Sequence, residues 1–67
     1  MSVARTSEIS VISSDSFDAA IREGIERANK TLRNVKSAWV KSQEVKIENG
    51  QITGYQVFLK ITFVMES

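Results

Sequence analysis

The sequence contains no cysteine, no histidine and no proline. The lack of cysteine excludes disulfides and thiolate metal sites. The lack of histidine removes the commonest transition-metal ligand and the usual general base near neutral pH. With 67 residues, the chain is expected to form a single domain over 1–67, and so small a domain buries only roughly 60% of its unfolded surface. Of the common means of stabilising such a domain, oligomerisation is the one left.

An excess of charge of one sign is also missing. Nine Lys and Arg residues against eight Asp and Glu residues give a net charge of +1, and the basic residues are scattered, so no nucleic-acid partner is expected. No apolar run is long enough to cross a membrane, and the stretch MSVARTSEIS lacks the apolar segment of a signal peptide. We therefore expect a cytoplasmic protein with neither nucleic acid nor membrane as a partner.

The first half of the chain predicts one strand and one helix. Residues 3–12 are rich in β-formers and alternate roughly, which predicts a strand. Ser13 or Ser14 is then predicted to cap a helix over 15–33. Apolar side chains at spacings of three and four give this helix a single stripe, formed by Phe17, Ile21, Ile25, Ala28 and Leu32.

The second half predicts a long hairpin. Asn49-Gly50 is the strongest short-range hairpin signal, because both residues tolerate the positive φ of a type I′ turn. It joins predicted strands over 35–48 and 51–65. The fold class is therefore α+β, with the order β-α-β-β. We expect a three-stranded antiparallel sheet that has the last strand in the middle and wraps around the helix.

The turn also predicts which side chains share a face. Without a bulge, Glu48 faces Gln51 and the register is fixed along the hairpin. The face predicted to pack on the helix contains the pairs Val40 with Leu59 and Ala38 with Ile61. The face predicted to point away contains the pairs Trp39 with Lys60, Lys41 with Phe58 and Gln43 with Gln56. One helix cannot cover both faces, so this second face is expected to meet another subunit, a ligand or both.

Two side chains of the second face have alternative interpretations. Trp39 is equally an interface anchor or a stacking platform for a planar ligand. Gln56 is either a solvated polar residue paired across strands or an amide that recognises a heterocycle edge bearing an imide N–H between two carbonyls. No pair of carboxylates has the spacing of an acid/base dyad, and we do not expect an enzyme.

The stretches SDSFDAAIREGIERANKTLRNV and GYQVFLKITF, with the long hairpin between them, resemble the dodecins, which are small β-α-β-β flavoproteins. The specific parts are the SF-x-A-A start of the helix, the E-R-A…T-L-R-N stretch, and Y-Q-V followed by a closing F. The likeness covers nearly the full length. It implies a hollow homododecamer that binds flavins, such as riboflavin, FMN or FAD, in stacked pairs at subunit interfaces. It also implies that the flavin is stored and shielded from light-driven chemistry, with no reaction catalysed.

The resemblance also implies site residues. A glutamine in the last strand of dodecins contacts the isoalloxazine edge, and Gln56 matches it. The stacking tryptophan of the family falls at the place of Ser37, whereas this chain has Trp39, two residues further along the same face. The set expected to contact flavin is Ser37 and Ala38 through their backbone, Trp39, Lys41, Gln56 and Phe58. Ser42 and Lys60 are, with Lys41, candidates for the ribityl or phosphate end.

The displaced tryptophan leaves two alternatives open. In one, Trp39 stacks on flavin in an altered pocket. In the other, the flavin sandwich is lost, and the chain forms a cage or assembly protein in which Trp39 packs at an interface. Such a cage would bind a metal ion through Glu or Asp oxygens, or another small ligand.

Overall fold

A computed structural model describes residues 2–66 of the chain. Its elements are β1 (Ser2–Ser13), α1 (Phe17–Thr31), β2 (Val35–Glu48) and β3 (Gln51–Glu66). The three strands form one sheet in the order β1-β3-β2, and β3 is antiparallel to both neighbours. The predicted β-α-β-β order and the central place of the last strand are thus confirmed.

The helix begins later than the sequence predicted. Ser16 is the N-cap, and its hydroxyl accepts a hydrogen bond from the Ala19 N–H at 3.0 Å. The predicted caps, Ser13 and Ser14, were wrong. Ser13 is the last residue of β1, and its hydroxyl accepts from the Asp15 N–H at 3.0 Å, so it closes the turn between strand and helix. An N-cap residue lies immediately before the first helical residue and accepts from the N–H of the second or third helical residue, and here only Ser16 does so.

The helix also ends earlier than predicted, at Thr31. Asn34 has a φ of 58°, a left-handed conformation that asparagine tolerates better than most residues. Its backbone carbonyl accepts from the Val64 N–H at 3.1 Å, and its side chain donates to the Val64 carbonyl at 3.3 Å. Asn34 therefore turns the chain out of the helix and ties the start of β2 to β3.

The hairpin turn has the predicted geometry. Asn49 has a φ of 53° and Gly50 a φ of 75°, as a type I′ turn requires. The flanking residues Glu48 and Gln51 are paired.

The core lies between α1 and one face of the sheet. Its buried members are Ala20, Ala28, Val57, Leu59 and Ile61. Phe17 packs edge-on against Tyr55, with ring centroids 5.1 Å apart. The predicted apolar face is confirmed, with two exceptions. Val40, on the sheet, is 37% exposed. Ile25 of the predicted stripe is 38% exposed, because Gly24 rather than Ile25 faces the sheet.

Gly24 sets the distance between helix and sheet. A Cβ atom at this position would lie 2.8 Å from Leu59 Cδ1 and 2.9 Å from Val11 Cγ2. Both distances are shorter than van der Waals contact, so any larger residue would push the helix away from the sheet. This is the close approach that a glycine within a helix suggests, since it costs about 1 kcal/mol relative to alanine there.

Three irregularities interrupt the hairpin register: one at Lys36, near the start of β2, and two β-bulges that displace the middle part. Thr53 of β3 and Lys41 of β2 each lack a cross-strand partner, and between them the pairing is shifted by one residue. Beyond Lys41 the original register returns, so that Val40 pairs with Leu59 as predicted. The predicted pairs of Lys41 with Phe58 and of Gln43 with Gln56 were wrong, because the prediction assumed an unbroken ladder. The observed pairs are Ser42 with Phe58, Gln43 with Val57 and Glu44 with Gln56.

Helix α1 is much shorter than the hairpin. Its 15 residues span about 22 Å at 1.5 Å per residue, whereas the described chain is 52 Å in its longest dimension. The helix lies on one face of the sheet only, so no other element among the described residues covers the opposite face. Helix α1, the helix among residues 2–66, is too short and too polar to cross a membrane.

Candidate functional site on the open face of the sheet

We call the sheet surface that points away from α1 the open face. On β3 it is formed by the residues that alternate with the core: Gly54, Gln56, Phe58, Lys60 and Thr62. Their partners on β1 are Thr6, Glu8, Ser10 and Ile12. Their partners on β2 are Ser37, Trp39, Ser42, Glu44 and Lys46. The bulge residue Lys41 joins this face through its contact with Glu8.

Trp39 is the largest side chain on the open face, and it is 64% exposed. Lys60, its cross-strand partner, places its ammonium 6.0 Å from the centre of the indole ring. That distance is at the outer limit of a cation–π contact. Tryptophan is usually well buried, so an indole held on a flat sheet with so little cover marks a surface that a ring or a partner can occupy.

A salt bridge joins the two edge strands across the open face. Lys41 Nζ of β2 lies 3.0 Å from Glu8 Oε1 of β1. The hydrogen bond from Lys41 and its positive charge lower the pKa of the Glu8 carboxyl below its ordinary value, with a further lowering from nearby Lys60 and a partial offset from desolvation. The bridge passes over the central strand, which separates the two edges by about 10 Å at the usual strand spacing.

Gln56 lies further toward the hairpin turn, on the far side of this bridge from Trp39. It pairs with Glu44 on one edge and with Ile12 on the other, and it is half-buried. Phe58 lies between Gln56 and Lys60 on the same face of β3. At about 3.3 Å per residue, Gln56 is about 13 Å along the strand from the residue paired with Trp39. The amide and the indole therefore mark the two ends of the middle part of the open face.

Most of the residues predicted to contact a ligand share this face. Those that the register or a salt bridge places there are Ser37, Trp39, Lys41, Gln56 and Phe58. Ala38 is on the helix side, where it pairs with Ile61 and packs on the core. Only its backbone is then near the open face, as the prediction for this residue required.

Sequence reasoning missed Glu8 and Ile12 as parts of this surface. Nothing in the sequence indicated a partner for Glu8. Its position opposite Lys60 depends on the pairing of β1 with β3, and no short turn joins those two strands. Gly54 is buried beneath Ile12, whose Cγ2 atom lies 3.2 Å from where a Cβ would be. A glycine inside a strand is a sign of close approach by a neighbour, and this was the signal available.

The grooves that we describe lie along the helix side and the edges of the molecule, and Trp39 lines none of them. The largest that we describe has a volume of about 530 Å³ and lies beside the C-terminal end of α1, between Leu32 and Phe63. Neither Trp39 nor Gln56 lines it. The open face is flat by comparison, so a ligand there would need a second surface to cover it. Within residues 2–66, no three acidic side chains come close enough together to hold a metal ion.

Comparison with known proteins identifies the family. The family model for dodecins matches residues 3–66. The chain belongs to the dodecin family. A search of curated protein sequences gave no match, whereas solved dodecin structures are similar over essentially the whole chain.

Three of these dodecin structures illustrate the similarity. The dodecin from Streptomyces davaonensis is 33% identical, with a TM-score of 0.91, and the alignment covers 98% of this chain and 97% of that one. The dodecin from Streptomyces coelicolor is 35% identical, with a TM-score of 0.91 and coverages of 98% and 94%. A tryptophan-to-phenylalanine mutant of the T. thermophilus dodecin is 31% identical, with a TM-score of 0.91 and full coverage of both chains.

Proposed function

We propose that this member of the dodecin family binds a flavin, namely riboflavin, FMN or FAD, on the open face and holds it without catalysing a reaction. Copies of the chain would assemble as a hollow homododecamer, with the flavin between neighbouring subunits. The observation that carries the proposal is the exposed indole of Trp39 on the same uncovered face as the amide of Gln56.

Stacking supports Trp39 as the platform for the isoalloxazine ring. Offset stacking of aromatic rings contributes about 0.5–1.5 kcal/mol beyond the burial of area, and the exposed indole offers a ring face to a ligand. The residue at the family's usual stacking position, Ser37, lies next to Trp39 along the same face of β2 and would line the ring's edge.

The amide of Gln56 supports recognition of the polar edge of the ring. It provides a carbonyl acceptor and two N–H donors in one plane, which complements an imide N–H between two carbonyls. Since Gln56 and Trp39 of one chain are about 13 Å apart along the strand, a ring stacked on Trp39 meets its own Gln56 only at its far edge. This separation favours a site completed by a neighbouring copy, which would also cover the flat face.

The types of side chain in the chain support storage of a flavin rather than catalysis of a reaction. The sequence has no histidine and no cysteine, and the pKa of the Glu8 carboxyl is lowered by the hydrogen bond and charge of Lys41 rather than raised toward neutrality. A general acid or base near pH 7 requires a pKa near that value. Binding against an indole would instead quench the excited flavin by close aromatic contact.

The test is a titration of riboflavin or FMN with the purified protein, followed by flavin fluorescence and by the mass of the assembly. We expect saturable quenching at about one flavin per one or two chains, as stacked pairs at interfaces imply, together with the mass of a dodecamer. Gln56→Ala should weaken binding about fivefold, the effect of one or two neutral hydrogen bonds, and leave the mass unchanged. Gln51→Ala, on the same strand at the turn, is the matched control.

A dodecamer that quenches neither flavin would overturn the proposal. That result would favour the second alternative, in which the open face is an interface packed by Trp39 and the cage holds a metal ion or another small ligand. In that case Trp39→Ala would break the assembly. Gln56→Ala would leave the assembly intact, and neither the wild-type protein nor this variant would quench flavin fluorescence.

A further inference from the structure

Met65 presents an exposed thioether beside an arginine. It lies near the end of β3, is 46% exposed, and lines the groove between Leu32 and Phe63. The Nη1 atom of Arg5, on β1, donates a hydrogen bond to Met65 Sδ across 3.7 Å. Arg5 pairs with Phe63, so it is a diagonal cross-strand neighbour of Met65, and a long side chain reaches across such a diagonal. The strand register therefore brings the guanidinium to the sulfur.

This sulfur is a reactive group that the proposed function does not use. The chain has two methionines and no cysteine, so thioethers are its only sulfur groups. Met1 lies outside the described residues. Methionine is a common target of oxidation, and its sulfoxide is formed reversibly in cells. The groove that Met65 lines contains neither Trp39 nor Gln56, so the thioether is separate from the surface proposed for flavin.

We propose that Met65 is a modification site, at which hydrogen peroxide forms methionine sulfoxide and the Arg5 guanidinium then holds the sulfoxide oxygen. A lone pair of Sδ attacks one oxygen of the peroxide, so that an S–O bond forms and the O–O bond breaks. The other oxygen leaves as hydroxide and takes the proton of the transferred oxygen, which makes water the second product. Sulfur gives up one electron pair, and the peroxide takes it up.

Arg5 reduces the cost of this modification to the fold. Oxidation turns a flexible apolar side chain into a polar one, here on the wall of a groove shared with Leu32 and Phe63. A thioether sulfur is a weak acceptor, whereas the oxygen of a sulfoxide carries a partial negative charge. A hydrogen bond from a charged donor is about twice as strong as one between neutral groups. The guanidinium that already contacts the sulfur therefore gains a better acceptor when the oxygen is added.

The first experiment tests whether the sulfur is accessible. The purified protein is treated with hydrogen peroxide, folded and in urea, and tryptic peptides are followed by mass spectrometry. Cleavage after Lys60 yields the peptide 61–67, which contains Met65 and is separate from the peptide of Met1. This peptide should gain one oxygen atom in the folded protein at a rate close to that in urea, because the side chain is exposed. A peptide that is oxidised in urea and stays reduced in the folded protein would overturn the proposal.

The second experiment tests the role of Arg5. The midpoint of thermal unfolding is measured before and after complete oxidation, at equal protein concentration. Oxidation should destabilise Arg5→Gln more than wild type, by about fivefold in the equilibrium constant of unfolding, the effect of one hydrogen bond. Met65→Leu should show no shift on treatment with peroxide. Arg33→Gln is the matched control, since it removes an arginine of the same groove without touching the hydrogen bond from Arg5, and it should respond as wild type does.

Arg5 is an exposed strand residue, so Arg5→Thr, with a strong β-former at that position, takes the place of Arg5→Gln if the latter does not fold. Equal shifts in wild type and in the Arg5 variant would overturn the proposal. An Arg33→Gln protein that responds like the Arg5 variant would assign the effect to the net charge of the groove and would also overturn it. A shift that persists in Met65→Leu would place the oxidation elsewhere, with the same consequence. None of these results depends on whether the protein binds flavin.

Discussion

Lys41 reaches from one edge of the sheet to Glu8 on the other edge, with 3.0 Å between the ammonium nitrogen and the carboxylate oxygen. The reach is available because Lys41 is a bulge residue with no cross-strand partner of its own. The bridge crosses the open face between Trp39 and Gln56, so it divides the proposed flavin surface into an indole end and an amide end. Any ring that spans both ends must pass over it or displace it.

The bridge predicts a measurable titration. Lys41→Gln should raise the pKa of Glu8 toward its ordinary value of 4.5, with a residual lowering from Lys60. Because the folded pKa is below the unfolded one, the bridge stabilises the fold above the unfolded value, and this contribution is lost as the pH falls through the folded value. Carboxyl NMR of Glu8 from neutral pH down to about pH 2 measures the shift. Lys46→Gln should leave it unchanged, and an identical Glu8 titration in wild type and Lys41→Gln would contradict the bridge.

Trp39 provides a second prediction, which separates stacking from packing. Trp39→Ala should weaken flavin binding by up to about tenfold, the range expected for one stacked aromatic pair, with the assembly mass retained. Trp39→Phe keeps a ring and should lose less. Fluorescence titration and native mass are measured on the same samples. If both variants fall apart into smaller species, Trp39 is an interface anchor and the stacking role is wrong.

Gly24 provides a prediction about stability. Gly24→Ala gains about 1 kcal/mol of helix propensity, but its Cβ atom would lie 2.8 Å from Leu59 Cδ1, and overpacking of a core typically costs about 1–3 kcal/mol. We expect a net loss of about 1 kcal/mol in the free energy of unfolding, measured by urea denaturation at fixed protein concentration. Glu26→Ala, an exposed position on the same helix, should change it by less than about 0.5 kcal/mol. A more stable Gly24→Ala protein would show that the helix moves away from the sheet at little cost.

The hairpin turn gives a fourth prediction, which concerns the backbone alone. Gly50 has a φ of 75° and no atom within 4 Å of where a Cβ would lie, so Gly50→Ala adds no clash. It should still destabilise the protein by about 1–2 kcal/mol, the cost of a left-handed conformation for an L-residue. Asn49→Gly, at the neighbouring positive φ, should cost nothing. The measurement is the midpoint of thermal unfolding of wild type and both variants at equal protein concentration. Equal midpoints for wild type and Gly50→Ala would contradict a type I′ turn.

The sequence predicted the parts of the fold that short-range rules control. Asn49-Gly50 fixed the turn, and alternation along 51–65 assigned the faces of the central strand, including the buried positions Val57, Leu59 and Ile61. Trp39 opposite Lys60 followed from the same rules. These features depend on local backbone preferences and on a period of two, both of which are visible in the residues themselves.

The parts that sequence reasoning missed depend on contacts between distant segments. A bulge costs little locally and its position is set by packing across strands, so the unpaired Lys41 and Thr53 left no sequence signal, and the partner of Gln56 was assigned as Gln43 instead of Glu44. The ion pair of Glu8 with Lys41 requires the pairing of β1 with β3, which no tight turn determines. Ser13 and Ser14 were predicted as the helix cap, whereas the geometry of the turn selects Ser16.

The paired bulges also bear on how this hairpin can change in length during evolution. Thr53 adds one residue to β3 and Lys41 adds one to β2, so the two extra residues cancel, and the alignment set by the turn is kept from Val40 to Ser37, where Lys36 adds a third irregularity. Neither Thr53 nor Lys41 has a cross-strand partner, so loss of either one removes a bulge and leaves the pairs on both sides of it unchanged. Loss of a paired residue between them would instead slip the rest of the hairpin by one position and turn its side chains to the opposite face. Single-residue deletions in this region are therefore expected at Lys41 and Thr53 rather than at the paired positions between them.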